Sequence, residues 1–169
     1  MRNKALFLTL SIFILFLFYS CKKTSVDLIP LDSYTDIGVG GWYGANGSGY
    51  DVDANIVYGY GDLLSGQKYV DIFFDRSAFF SFDADGGDQL PDVGTRFANT
   101  NITVAQFDSA TTDALFRNIE PLQTADSVNF KIDDVVLFKT RWGKKAIARI
   151  KSMTSPTGDL IFDCKAQSR

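Results

Sequence analysis

The chain has 169 residues, 46% of them hydrophobic, and its 17 basic and 20 acidic residues give a net charge of −3 at pH 7. This composition excludes an intrinsically disordered chain, because it holds enough apolar side chains to bury a core. The acidic balance argues against a nucleic-acid surface, and the absence of histidine removes the commonest general base and the commonest transition-metal ligand.

The first twenty residues have the pattern of a secretory signal peptide. A basic start is followed by an apolar run over residues 5–19, and the small residue Ser20 stands directly before Cys21. The run is short for a membrane-spanning helix, which needs about 20 residues. A basic start, an apolar middle and a small final residue are instead typical of export signals. The alternative is an uncleaved N-terminal anchor with an incidental cysteine.

The junction of Ser20 and Cys21 resembles the lipobox of bacterial lipoproteins, and the lysines at 22 and 23 are similar to the start of mature lipoproteins from the phylum Bacteroidota. The resemblance implies cleavage before Cys21, lipidation of its thiol with a chain such as palmitate, and acylation of the new N-terminus. Because two or more acyl chains anchor a protein stably, we expect an outer-membrane lipoprotein that faces the periplasm or the cell surface. Its predicted parts are signal peptide 1–20, lipidated cysteine and tether 21–32, and β-rich domain 33–169.

Abundant aspartate, glycine and aromatic residues predict short strands joined by tight loops. Aspartate competes for nearby backbone N–H groups and so favours turns, whereas aromatic side chains favour pleated surfaces. The strands predicted for the first half of the domain are 34–39, 50–60, 69–74 and 78–82, with a turn at 75–77.

Five aromatic residues of this half form a candidate ligand-binding set, since exposed rings flanked by polar groups stack on the flat faces of ligands. Packing in the core or across strands is the commoner use of such residues and is the alternative. The five residues are Trp42, Tyr43, Tyr50, Tyr58 and Tyr60.

The aspartate-rich and glycine-containing segment 83–92 is the best candidate for a metal site. Calcium prefers several hard oxygen ligands from a flexible loop, and the spacing Asp-x-Asp-Gly-Gly-Asp offers them, although it departs from the EF-hand template. A solvated polar loop is the alternative. The candidate calcium ligands are Asp83, Asp85, Asp88 and Asp92.

The second half begins with a helical signal and continues with strands. Thr103 and Gln106 have the spacing of a capping box, and the apolar residues that follow predict one or two short helical turns within 104–118. Four successive strands are then predicted as an antiparallel meander with one face on the core and one in water. Their ranges are 128–132, 134–140, 145–152 and 160–167, with turns at 141–144 and 155–159.

The last predicted strand alternates most clearly, and it places Cys164 on its apolar side with Leu160 and Phe162. We therefore expect Cys164 to be a buried, inert thiol, left without a partner once Cys21 is lipidated.

Two short patterns match a modification signal. The triplets at 108–110 and 126–128 each have an aspartate, a serine and a small or apolar residue. They resemble the sites of O-glycosylation in Bacteroidota, which would place glycans on Ser109 and Ser127.

The end of the chain resembles a pattern that recurs in uncharacterised lipoproteins of the Bacteroidota. The pattern comprises DVV at 134–136, FKT at 138–140, GK at 143–144 and a final strand over 158–167. A similar pair of strands occurs in haem-binding lipoproteins of the HmuY type, which are all-β surface proteins. That family holds haem iron with paired histidines, and this chain has none. The resemblance therefore implies a shared fold and not haem binding.

Together these observations predict a mainly β protein, either a single antiparallel β-sandwich or a partly open barrel. The predicted function is that of a lipid-anchored, non-catalytic module of the cell envelope that binds a nutrient, a glycan or a partner protein. It has no cofactor other than the candidate calcium. The first alternative is a structural or accessory subunit of an outer-membrane assembly. The second is a hydrolase that uses aspartate pairs, for which no raised-pKa acid beside an ionised one is evident in the sequence.

Overall fold

Two antiparallel five-stranded sheets make up the protein in a computed structural model that describes residues 27–41, 46–64, 69–81, 92–154 and 158–168. The predicted signal peptide and Cys21 lie outside these residues, so the predicted division of the chain stays a prediction. Within the described ranges, no helix combines the length and the apolar character that crossing a membrane requires.

Within the described residues, ten strands are separated by two short α-helices and one 3-10 helix. The strands are β1 (Leu31–Val39), β2 (Gly49–Asp51), β3 (Ile56–Tyr58), β4 (Ile72–Asp75), β5 (Ala78–Phe80), β6 (Arg96–Asn99), β7 (Ser127–Asn129), β8 (Val135–Lys139), β9 (Lys145–Met153) and β10 (Leu160–Gln167). The helices are α1 (Tyr60–Leu64), α2 (Val104–Ser109) and the 3-10 helix Asp113–Leu115.

The strand order identifies the architecture as a sandwich. The first sheet has the order β1-β10-β9-β8-β6, and the second has the order β3-β2-β4-β5-β7. All the pairings within both sheets are antiparallel, and the sheets do not close into a barrel. The prediction of a mainly β, antiparallel fold with a C-terminal meander and short helical turns is therefore confirmed.

The core lies between the two sheets and is filled by the alternating side chains predicted for the last strand. The inward residues of β10 are fully buried, as are their neighbours on β9. The ring of Phe162 meets those of Tyr50 and Phe79 edge-on, with centroids 5.5 and 5.4 Å apart. Because Phe162 belongs to the first sheet and the other two rings to the second, these contacts join the layers.

The outer face of the first sheet is not left in water as predicted. Ile147 and Leu137 on that face are fully buried beneath Phe107 of α2 and Phe116, which follows the 3-10 helix. The helix starts with the predicted capping box, in which Thr103 and the third helical residue exchange two hydrogen bonds. A helical segment thus covers this part of the meander, because apolar residues on both faces of a strand require cover on both sides.

Two local predictions were wrong, and one strand was not predicted. The predicted strand 50–60 is a hairpin of β2 and β3, whose turn includes Asn55 at a φ of +54°. Strand β7 pairs with β5 in the second sheet, so it is not the first strand of the meander. Strand β6 was not predicted, and it pairs with β8 at the edge of the first sheet.

Candidate functional site

A cleft of about 530 Å³ opens at one end of the sandwich, where the β8–β9 turn and the C-terminal end of β10 approach the β2–β3 turn of the second sheet. Aromatic, apolar and charged side chains line it together, a mixture typical of small-ligand sites. The lining residues include Ile29, Asp53, Trp142, Gly143, Lys144 and Gln167.

A tight turn places Trp142 at the mouth of this cleft. The amide of Thr140 donates to the carbonyl of Lys144 and the amide of Gly143 donates to the carbonyl of Thr140, both at 2.9 Å. Gly143 has a φ of +84°, a conformation that glycine adopts without the steric cost other residues incur. Trp142 projects from this turn and is 75% exposed.

Arg141 joins Trp142 to a second exposed ring. Its guanidinium carbon lies 4.8 Å from the centroid of the Trp142 ring and 5.0 Å from that of Tyr69. Tyr69 is itself 71% exposed. A guanidinium that lies over two aromatic rings is attracted to both by cation–π interaction. We call Tyr69, Arg141 and Trp142 the aromatic rim.

An ion pair crosses the cleft between the two sheets. Lys144 Nζ, from the β8–β9 turn, lies 2.8 Å from Asp53 Oδ1, from the β2–β3 turn. Both side chains are mostly buried, so the pair is screened less than one on the open surface. Asp51 holds the β2–β3 turn in place, because its Oδ1 accepts hydrogen bonds from the amides of Asp53 and Ala54. The cleft therefore has a polar and positioned floor.

A half-buried carboxyl, that of Asp71, stands close to this floor. Burial raises its pKa to about 6, and the charges of Asp51 and Asp53 act in the same direction. A hydrogen bond from the amide of Val52 to Asp71 Oδ2 and the charge of Lys144 oppose the rise. Asp71 lies behind the cleft and is not one of its lining residues.

The opposite wall is held by a buried carboxylate. Asp113 is 1% exposed and accepts hydrogen bonds from the amide of Ile29 at 3.0 Å and from Gln167 Nε2 at 2.8 Å. Its own amide donates to the carbonyl of Ile29. These bonds fasten the segment before β1 and the end of β10 to the 3-10 helix, so Ile29 and Gln167 form a fixed wall.

A smaller cleft of about 260 Å³ lies on the outer face, beside β1 and α2. Lys165 lines it, but its ammonium already donates to the carbonyls of Asp108 and Ala110 at 2.9 and 2.8 Å. Cys164 also borders it, yet its side chain is fully buried and burial raises the pKa of its thiol. The prediction of a buried Cys164 is confirmed, and this cleft offers neither a reactive thiolate nor a free cation for a ligand.

Of the predicted aromatic set, Tyr50 and Tyr58 have described side chains, and neither lines the cleft. Tyr50 is 1% exposed, and its ring packs in the core against Phe162, so its faces are not accessible to a ligand. Tyr58 packs on a separate cluster around Leu63. Tyr60 begins α1, and its side chain, like Trp42 and Tyr43, lies outside the described residues.

Of the predicted calcium ligands, only Asp92 falls within the described residues. Its two carboxylate oxygens face Arg96, with Oδ1 3.1 Å from Nη1 and Oδ2 2.9 Å from Nη2. Arg96 lowers the pKa of the Asp92 carboxyl to about 2. Asp83, Asp85 and Asp88 lie outside the described part of the chain, within which no group of three or more acidic or cysteine side chains is placed to hold a metal ion. The calcium site stays a prediction.

Both serines of the predicted glycosylation signals are exposed. Ser109 ends α2 and donates a hydrogen bond to the carbonyl of Gln106, and Ser127 begins β7. Their modification stays a prediction.

The cleft residues were not in the predicted site. The segment RWGK at 141–144 was interpreted only as a turn, although an aromatic residue beside a turn glycine is a signal for an exposed ring. Asp53 and Lys144 carried no such signal, because they are far apart in sequence and only the packing of the sheets brings them together.

No family model and no curated protein matches the sequence. Among solved structures, the fold is similar to that of a DUF4466 family protein from Parabacteroides merdae, with a TM-score of 0.52 and 17% sequence identity. The match covers 85% of this chain and 54% of that protein, so the chain spans about half the length of its structural neighbour. At this identity the likeness shows the fold alone. It is consistent with an uncharacterised family of the Bacteroidota, while a fold shared with the HmuY-type lipoproteins stays a prediction.

Proposed function

We propose that the protein is a lipid-anchored component of the cell envelope and a non-catalytic binding module whose ligand site is the cleft beside Trp142. The observation that carries this proposal is a highly exposed indole at the mouth of a cleft of about 530 Å³ with a polar floor. An indole left in water offers a flat apolar face, and the floor supplies groups that orient a ligand.

The chemistry of the lining fits a sugar unit. A sugar ring has an apolar face that stacks on an aromatic ring and hydroxyl groups that hydrogen-bond around its edge. Trp142 supplies the ring. Asp53 and Lys144 are paired with each other and the amide of Gln167 is bonded to Asp113 and to the amide of Lys145, so a ligand would use the second carboxylate oxygen, the other ammonium hydrogens and the second amide hydrogen of these groups. Because these groups are already positioned by the sheets, a ligand does not have to order them.

Among the described residues that line the cleft, the one carboxyl is that of Asp53, which supports a binding role over hydrolysis. A hydrolase of the aspartate type needs a protonated carboxyl and an ionised one that both reach the substrate. Asp53 reaches the cleft, but it is engaged by Lys144. Asp71 has the raised pKa, but it lies behind the cleft with one oxygen hydrogen-bonded to the amide of Val52.

The binding site is tested by titrating the protein with a panel of soluble oligosaccharides and following tryptophan fluorescence. The chain has two tryptophans, so the substitution Trp42→Phe leaves Trp142 as the only reporter. For an oligosaccharide that binds, we expect Trp142→Ala to weaken affinity, measured by calorimetry, about tenfold, which corresponds to about 1.4 kcal/mol. Asp53→Asn is expected to weaken it as well.

The matched control is Ile132→Ala, which removes an exposed apolar residue between β7 and β8, at the other end of the first sheet. Its affinity is expected to equal that of the unmodified protein. Equal affinities for the Trp142 and Ile132 variants, or no response to any oligosaccharide, would contradict a sugar site in the cleft.

The lipid anchor rests on the sequence around Cys21 and is tested separately. Cells that express the protein are labelled with radioactive palmitate, and the label is measured after immunoprecipitation. We expect Cys21→Ala to abolish incorporation, whereas Cys164→Ala, which alters the other cysteine, retains it because that thiol is buried. Label that persists in the Cys21 variant would show that the protein is not acylated at this residue.

A further inference from the structure

We propose that the aromatic rim rests on the headgroup layer of the bilayer in which Cys21 is anchored. The inference rests on the lipid anchor of the proposed function, and it specifies which surface the proposed binding site faces. It places the mouth of the cleft, with Trp142, at the membrane interface and the rest of the sandwich above it.

The first argument is the length and attachment of the tether. Ile29 lines the cleft and is fastened by hydrogen bonds to Asp113. Only seven residues separate it from Cys21. Even a fully extended chain of that length reaches no more than about 26–29 Å. A tether that starts at the cleft end therefore keeps this end of the domain within that distance of the anchored cysteine.

The second argument is the chemistry of the same end. Trp142 and Tyr69 are each more than two-thirds exposed, and the neighbouring apolar residues Leu28 and Ile29 are 47% and 37% exposed. Tryptophan and tyrosine are the residues enriched at membrane interfaces, where an apolar ring and a polar group are both accommodated. Arg141 between the two rings places a cation where lipid phosphates lie.

The third argument is the balance of charge around the cleft. The mature chain is acidic, Lys144 at this end is already paired with Asp53, and Arg141 is the single cation that the aromatic rim itself supplies. A purely electrostatic attraction to anionic lipids is therefore weak. The contact must come from the rings and apolar side chains, so we expect it to persist at high salt, where surface electrostatics are screened.

Docking in this way decides where a ligand of the cleft comes from. With the rim in the headgroup layer, Trp142 and the Asp53–Lys144 pair open toward that layer. The ligand class that reaches them is then the polar headgroup of a lipid of the same membrane, which carries sugar or phosphate groups.

The test uses the full acylated protein with the substitution Trp42→Phe, purified from membranes and reconstituted into phospholipid vesicles. Brominated lipids quench tryptophan only at short range, so bromines near the carbonyl groups report an indole at the interface. We expect the emission of Trp142 to shift to shorter wavelength and to be quenched more by these lipids than by lipids brominated at the chain ends. The quenching is expected to be the same in low and high salt.

The control carries its only tryptophan at the other end of the first sheet, through Trp42→Phe, Trp142→Phe and Ile132→Trp. Its emission is expected to stay at the wavelength of an indole in water and to be unquenched. Flotation of the vesicles separates the two proposals. Protein that fails to float with the vesicles lacks the anchor and overturns both proposals. If the protein floats but its Trp142 is quenched no more than the tryptophan of the control, docking alone is overturned. The aromatic rim is then available to a soluble ligand.

Discussion

Replacing Phe162 by alanine is expected to lower the free energy of unfolding by about 3–5 kcal/mol, the cost of removing a buried phenyl ring and leaving a cavity. Phe162 is fully buried, and its ring touches Tyr50 and Phe79 of the opposite sheet. A neighbouring side chain cannot fill the space easily, because the contact joins two layers whose separation is set by many other residues. The loss is a large part of the stability of a domain of this size.

The measurement is urea denaturation followed by circular dichroism, with the midpoint and the slope determined for each variant. Ile161→Ala is the matched control. Ile161 directly precedes Phe162 in β10, points to the other face and is 38% exposed. Its free energy of unfolding is expected to fall by less than half as much. Similar losses for the two variants would contradict the assignment of Phe162 to the contact between the sheets.

The strands that could be predicted are those whose alternation of apolar and polar residues is visible without knowing the partner strand. In β10 the buried apolar residues stand at every second position, from Leu160 to Ala166, and a period of two fixes both the strand and its core-facing side. The capping box of α2 was equally local, because Thr103 and Gln106 satisfy each other within one turn. These elements were placed correctly from the sequence.

The elements that were missed depend on contacts between distant segments. Strand β6 has only four residues, too few for alternation to be seen, and its pairing with β8 completes it. Strand β7 was recognised but assigned to the wrong sheet, because its register with β5 is set by the packing of the layers. The turn between β2 and β3 has no glycine, and Asn55 takes the left-handed conformation instead, which asparagine tolerates.

The candidate site was less predictable than the fold for a related reason. A tyrosine such as Tyr50 looks the same in a sequence whether it is buried or exposed, and only the sheet register places it in the core. The pair of Asp53 and Lys144 lies between residues 91 positions apart. The turn that carries Trp142 was predicted, but its place at the cleft was not, because Ile29, Asp53 and Gln167 come from other parts of the chain.

Replacing Asp71 by asparagine is expected to stabilise the protein at neutral pH. Burial, with the charges of Asp51 and Asp53, raises the pKa of this carboxyl to about 6, so at pH 7 the native state holds a charge that would be better solvated in the unfolded chain. Asparagine removes the charge and keeps a carbonyl oxygen for the amide of Val52. We expect a gain of about 1–3 kcal/mol in the free energy of unfolding.

The pH dependence of this gain identifies its cause. Between about pH 4 and 6 the native state holds a proton on Asp71 that the unfolded state has released, so the stability of the unmodified protein falls as the pH rises through this range. The advantage of Asp71→Asn should therefore be absent below about pH 4, grow up to about pH 6 and stay constant above it.

Asp92→Asn is the control with the opposite sign, because Arg96 lowers the pKa of Asp92 to about 2. That variant should be less stable than the unmodified protein at pH 7, with the difference vanishing as the pH falls from about 4 to 2. Urea denaturation of the three proteins from pH 2 to 8 measures both curves. If the difference between Asp71→Asn and the unmodified protein is independent of pH, ionisation of the Asp71 carboxyl does not destabilise the native state.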